Sequence, residues 1–288
     1  MKLSFALPAD LPWSRHHACL LFDGTAVPDL PTRLKQLSAS VNTVALYDSS
    51  LFKTLRDISP LLVAIQGVDD PVFQFYLEQA EEEWAVLLFS HSPALGVAQH
   101  LRKLLTVALP EGQQVALRLA DAAVANALFA SADQCLFGPL SCVVVADCVN
   151  ATWHRHQPRQ PQPPELPTPY RLSHELNAAL DDVDHRRVLL DLDAHLLKHF
   201  PERHLGAGIA QRWPRLQQLQ VQASTLGLSS QSELFYYANL MTWLNTSTLK
   251  EHPDIARLLH SPSLQPLGER IALAANLAER KANTGGHP

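Results

Sequence analysis

Hydroxyls, imidazoles and carboxylates collect at the ends of apolar, strand-like runs: Asp23-Gly24-Thr25 after HACLLF, Asp48-Ser49-Ser50 after TVALY, Ser90-His91-Ser92 after WAVLLF, and Asp121 after QVALRL. A serine hydroxyl with an imidazole to take its proton is an activated nucleophile, and a carboxylate can orient that imidazole. Ser90, His91 and Asp121 can therefore be drawn as a hydrolytic triad. Such groups would gather beyond the carboxyl ends of the strands of an open α/β sheet, where that architecture places its ligands. Against this, His91 directly follows Ser90, and no G-x-S-x-G elbow, G-x-x-x-x-G-K-[ST] loop or G-x-G-x-x-G occurs. With 11 glycines in 288 residues, the chain is poor in phosphate-cradling loops.

Metal chemistry is similarly incomplete. His195 and His199 stand four apart on a predicted helix, which puts two imidazoles on one face, but HLLKH lacks the glutamate of H-E-x-x-H. Cys135, Cys142 and Cys148 lack the close C-x2-4-C pairing of zinc sites, so with Cys19 they read as reduced, buried thiols. No metal and no cofactor is expected. LFDGT resembles the D-x-D-G-T loop of haloacid-dehalogenase-like phosphatases, yet Leu21 stands where their nucleophilic aspartate would be. Asp23-Gly24 then reads as a turn.

The elements that must position these residues follow from hydrophobic patterning. HACLLFD, TVALYD, LLVAI, WAVLLFS, QVALRL and CVVVADCV are short β-rich runs separated by helix-length segments, which predicts an α/β domain: a mixed sheet with flanking helices. Leu30, Leu34, Leu37 and Val41 recur as one helical stripe. In the helix after Ser92, Leu101, Leu104 and Leu105 share a face, while Gln99, His100, Arg102 and Lys103 cluster on the other, at the surface or at a layer interface. From Arg155 to Tyr170 the chain holds six prolines and little periodicity, which predicts a semi-rigid connector. Beyond it the pattern is helical throughout, with Ser173 and Ser229 or Ser230 as caps and Gly227 as a terminator. The predicted organisation is an α/β domain over 1–157, a linker over 158–169, and an all-α lobe over 170–288.

Composition narrows the partners. The net charge is −5, and residues 1–157 hold 10 Lys/Arg against 15 Asp/Glu, so no basic field exists to attract phosphate backbones and nucleic acid is not expected. No run of 18 apolar residues occurs, and Pro8, Asp10 and Pro12 interrupt the N-terminal segment. No membrane association is expected, and the expected location is the cytoplasm.

Taken in order, the strand ending in Ser90, the helix carrying His100-Leu101-Arg102, the Pro110-Glu111-Gly112 turn, the strand with Arg118 before Asp121, and the Phe137-Gly138-Pro139 corner resemble the type VI secretion adaptor family. The resemblance spans roughly Ala18 to Trp153, with a weaker helical continuation to about Leu277. It implies a non-catalytic chaperone that binds a type VI effector protein and loads it onto the VgrG or PAAR spike. It marks His100, Arg102, Arg118, Asp121, Phe137, Gly138 and Pro139 as partner-binding or family-motif positions. The family pattern has an aromatic, a proline and a second arginine where this chain has Ala120, Ala122 and Ala123. Local chemistry alone reads Asp121 as the cap of a helix starting at Ala122, worth about 1 kcal/mol. Two other readings remain: a hydrolase-like α/β enzyme using Asp23, Asp48, Ser90 or Asp121, and a protein-binding scaffold of another pathway.

Overall fold

The computed structural model describes residues 7–38, 40–49, 51–245 and 249–284; Ser50, named above, lies outside them. In the first part of the chain, β1 (His17–Phe22), β2 (Thr43–Ala45), β3 (Leu61–Ile65), β4 (Ala85–Ser90), β7 (Leu140–Asp147) and β8 (Thr152–His156) form one sheet in the order β2-β3-β1-β4-β7-β8. A second sheet, in the order β6-β5-β9, joins β5 (Thr106–Ala108), β6 (Gln114–Ala116) and β9 (Tyr170–Arg171). Every pair in the large sheet is antiparallel, and only β5 with β9 is parallel.

Both faces of the large sheet are covered, which is why its central strands read as unbroken apolar runs. The period of two sorts each strand between two cores. Cys19, Leu21, Leu62, Val86, Leu88, Val143 and Val145 pack with Val97 and Leu101 of α3 (Ala94–Lys103) and Leu128 of α4 (Ala122–Ala130). Leu20, Phe22, Val63, Leu87, Phe89 and Val144 pack with Leu30 and Leu34 of α1 (Leu30–Leu37) and Phe73 and Tyr76 of α2 (Pro71–Glu78). The predicted α/β domain is thus present, with helices on both faces. Its sheet order matters for chemistry: in an antiparallel sheet, successive strands deliver their carboxyl ends to opposite rims.

The chain divides into two compact units between Val183 and Asp184, inside α5 (His174–His199). This is not where the sequence placed the linker. Leu166 is buried in the first unit's core, and Tyr170 pairs with Val107, so the proline-rich 158–169 segment is a surface strap of the first unit. The segment is held by a strand pairing and a buried leucine, which pattern reading cannot foresee.

The second unit is helical. It contains α6 (Ile209–Thr225), α7 (Gln231–Leu244), α8 (Pro253–His260) and α9 (Leu267–Thr284) around Leu192, Leu196, Leu216, Leu240 and Ile271. Ser230 caps α7 in a reciprocal box with Glu233, and Gly227 follows α6 at φ +86°. A buried charge cluster ties its elements. Arg212 of α6 donates to both oxygens of Asp193 of α5 at 2.7 and 2.6 Å, and His204 Nε2 lies 2.6 Å from Asp193 Oδ1. Gly206, at φ +142°, lets this happen: a Cβ there would lie 2.7 Å from Arg212 Cγ.

Burial pushes the Asp193 carboxyl upward, but the hydrogen bonds and charges of Arg212 and His204 outweigh it and hold it below the ordinary carboxylate value. The stabilisation this gives is therefore complete above the unfolded value, near 4, and is lost as pH falls through the lower folded value. Asp193→Ala leaves Arg212 buried and unpaired and is expected to destabilise the second unit by about 3–5 kcal/mol. Denaturant unfolding at pH 7 checks this; a loss below about 1 kcal/mol would show that the pair behaves as an exposed one.

Candidate functional site

The family-motif residues fall into two groups: His100, Phe137, Gly138 and Pro139 meet at one joint, while Arg118 and Asp121 lie apart from it and Arg102 bonds the end of β2. His100, on the face of α3 that sequence left as surface or interface, is buried, and its Nε2 lies 2.7 Å from the carbonyl oxygen of Leu136. Its imidazole is pressed against Gly138. A Cβ on Gly138 would sit 2.3 Å from the ring, and Gly138 has φ +48°, so steric space and backbone conformation both demand glycine. Phe137, also buried, packs on Phe129 of α4 at 5.2 Å between ring centres. The Pro139 carbonyl then accepts from the Ser90 hydroxyl at 3.0 Å and from the His91 amide at 3.2 Å, where the β4–β7 register shifts. Burial lowers the His100 pKa, Lys103 lowers it further, and the Leu136 carbonyl opposes both; the ring is set as a neutral donor to that carbonyl.

At the carboxyl end of β1 the arginines take up the remaining positions. Arg102 donates from Nε to Leu46 O at 3.0 Å and from Nη2 to Ala45 O at 2.9 Å, pinning the end of the edge strand β2. Arg118 Nη2 pairs with Asp23 Oδ2 at 2.9 Å, and Asp23 Oδ1 also accepts from the amide and hydroxyl of Thr25. Burial raises the Asp23 pKa, yet the Thr25 hydrogen bonds and Arg118 hold it below the ordinary value. Asp121 caps α4 by accepting from Ala123 N and Val124 N at 3.0 and 3.2 Å, as the local reading of that corner expects. Of the seven motif positions, Arg118 offers the most open group, its side chain 52% exposed.

The groups an enzyme would need are separated. Asp23 follows β1 and Ser90 ends the antiparallel β4, so they lie at opposite rims of the sheet. The Ser90 hydroxyl, 1% exposed at residue level, is donated to Pro139 O and accepts from Ser92 N. Asp48 is paired with Arg56 at 2.9 Å. His195 Nε2 meets Asn239 Oδ1 at 2.8 Å, with His199 beside it; among the described residues no group of three potential ligands could hold a metal ion. All four cysteines are buried, free thiols.

Pattern reading missed what is exposed. Leu51, Leu55 and Ile58 stand 88%, 46% and 45% exposed on the β2–β3 connection. Their spacing alone does not distinguish them from core residues.

A six-stranded antiparallel sheet with helices on both faces, tied at the His100–Gly138 joint, defines the domain. Residues 19–135, all within the first unit, match the family described as domain of unknown function (DUF4123). Over 273 residues, covering 90% of this chain and 86% of the relative, the sequence is 28% identical to accessory protein VasW of Vibrio cholerae serotype O1. No solved structure matches.

If Gly138 is fixed by the His100 ring, Gly138→Ala is expected to destabilise the first unit by about 2–4 kcal/mol. Part of that loss should be recovered by adding His100→Ala, which removes the clash. Equilibrium unfolding of the two single variants and the double variant checks this; strictly additive losses would contradict the contact.

Proposed function

We propose that this protein is a non-catalytic adaptor of type VI secretion: it binds an effector protein in the cytoplasm and delivers it to the VgrG or PAAR spike. The observation that carries this reading is likeness over 90% of the chain, across both units, to a protein named an accessory protein. The DUF4123 match over the first unit supports it. The chemistry agrees, because Ser90, Asp23, Asp48 and Asp121 are each occupied in holding the backbone or an arginine. Affinity then comes from burying surface, and a specific effector complex is expected to bury about 1,200–2,000 Å². The half-exposed Leu55 and Ile58 beside the open Leu51 are the type of surface that such burial uses. A net charge of −5 with no basic tract leaves nucleic acid without an attractive field, and no helix among the described residues is long and apolar enough to cross a membrane.

Co-expression with the products of neighbouring genes, followed by affinity purification and size-exclusion chromatography, tests the reading. The expected result is co-elution with one effector, whose solubility falls when this chain is omitted, and capture of that complex by a VgrG or PAAR protein. A chain that elutes alone beside a soluble, independently secreted effector would contradict it.

A further inference from the structure

We infer that a concave site at the amino end of β1 receives a segment of the effector that carries a lysine or arginine next to an aliphatic side chain; this rests on the adaptor reading above. The cavity, of about 660 Å³, lies between the residues entering β1 and the turn from β3 to α2. That volume falls in the range that encloses a small ligand or a few side chains. Trp13 forms its aromatic wall, fixed by edge-on contacts with Phe73 at 5.0 Å and Phe89 at 4.9 Å. Val68, 45% exposed, and Pro71 supply the aliphatic side.

The rim is built in advance. Asp70 accepts from Gln66 N at 3.0 Å and from Val72 N at 2.9 Å, and Gln74 Nε2 donates to Val68 O at 2.6 Å, so the turn is ordered before anything binds. Asp69 stands exposed on that turn, and among the described residues no lysine or arginine lines the site. Among the described residues the charged groups lining the site are the carboxylates of Asp69 and of Asp70, the latter already bonded to the turn's amides, in a half of the chain with 15 acidic against 10 basic residues. A cation is therefore selected by charge, an aliphatic neighbour by Trp13, Val68 and Pro71, and the cation can also lie over the indole face. The exposed 51–58 segment offers no such selection, since Lys53 and Arg56 balance Asp48 and Asp57 around it.

Gly67 gives a clean test. A Cβ there meets nothing within 4 Å, and the residue is not in the left-handed region, so Gly67→Trp fills the site without disturbing the fold. The probe is the effector that co-elutes with the wild-type chain, titrated into purified full-length variants. Gly67→Trp and Asp69→Lys are each expected to raise Kd about tenfold or more, with thermal midpoints within about 2 °C of the wild type. Wild-type binding should weaken with added salt more steeply than binding by Asp69→Asn. Glu111→Lys, an equal charge reversal on an exposed turn elsewhere, is the control and should stay within about twofold. Wild-type affinity in both Gly67→Trp and Asp69→Lys would overturn the inference while leaving the adaptor reading intact. So would an equal loss in Glu111→Lys, which would make the effect one of net charge. A wild-type chain that retains no effector would overturn both.

Discussion

The first unit depends on one close contact, the buried imidazole of His100 laid against Gly138. Because Gly138 has no Cβ and takes a left-handed backbone, α3 can approach the turn before β7 at ring-contact distance, and the Leu136 carbonyl meets His100 Nε2. The same turn aims the Pro139 carbonyl at Ser90 and His91, which fixes the end of β4 where its register with β7 shifts. A helix, a turn and two central strands are thus tied at one joint. A larger residue at 138 would have to move one of them in an interior that is already close-packed.

That joint gives the His-Leu-Arg and Phe-Gly-Pro motifs a physical meaning. His100 and Gly138 position each other, Phe137 packs inward on Phe129, and Arg102 saturates the carbonyls at the end of β2. These are structural roles that a binding protein needs if its surface is to stay rigid. The joint reaches the concave site through β4: Ser90 is bonded to Pro139, and the adjacent Phe89 is the ring against which Trp13 rests. At the opposite rim, Arg118 and Asp23 form a pair whose arginine is half exposed, an arrangement that contributes little to stability on its own.

The alternation of apolar runs with helical stripes made the α/β unit and its helical companion legible, as did Asp121, Ser173 and Ser230 as caps. Strand direction was not legible, because strands buried on both faces read alike in parallel and antiparallel sheets. That ambiguity is what made a convergence of Asp23 and Ser90 conceivable. The proline-rich segment read as a linker because prolines define local stiffness and say nothing about what Leu166 and Tyr170 reach. His100 read as an interface candidate on a polar helix face, and its burial is decided by a glycine 38 positions away in sequence. The concave site had no linear signal at all, since Trp13 and the 66–71 turn meet only through the register of β1 with β3.

The most direct measurement of the division between framework and binding surface is amide hydrogen exchange on the full chain, alone and with the proposed effector bound. Segments 99–103 and 136–140 are expected to be strongly protected in the free chain and unchanged in the complex, while 13–16 and 66–71 gain protection on binding. New protection at 118–121 and 136–140, with none at 66–71, would mean that the motif residues themselves meet the effector.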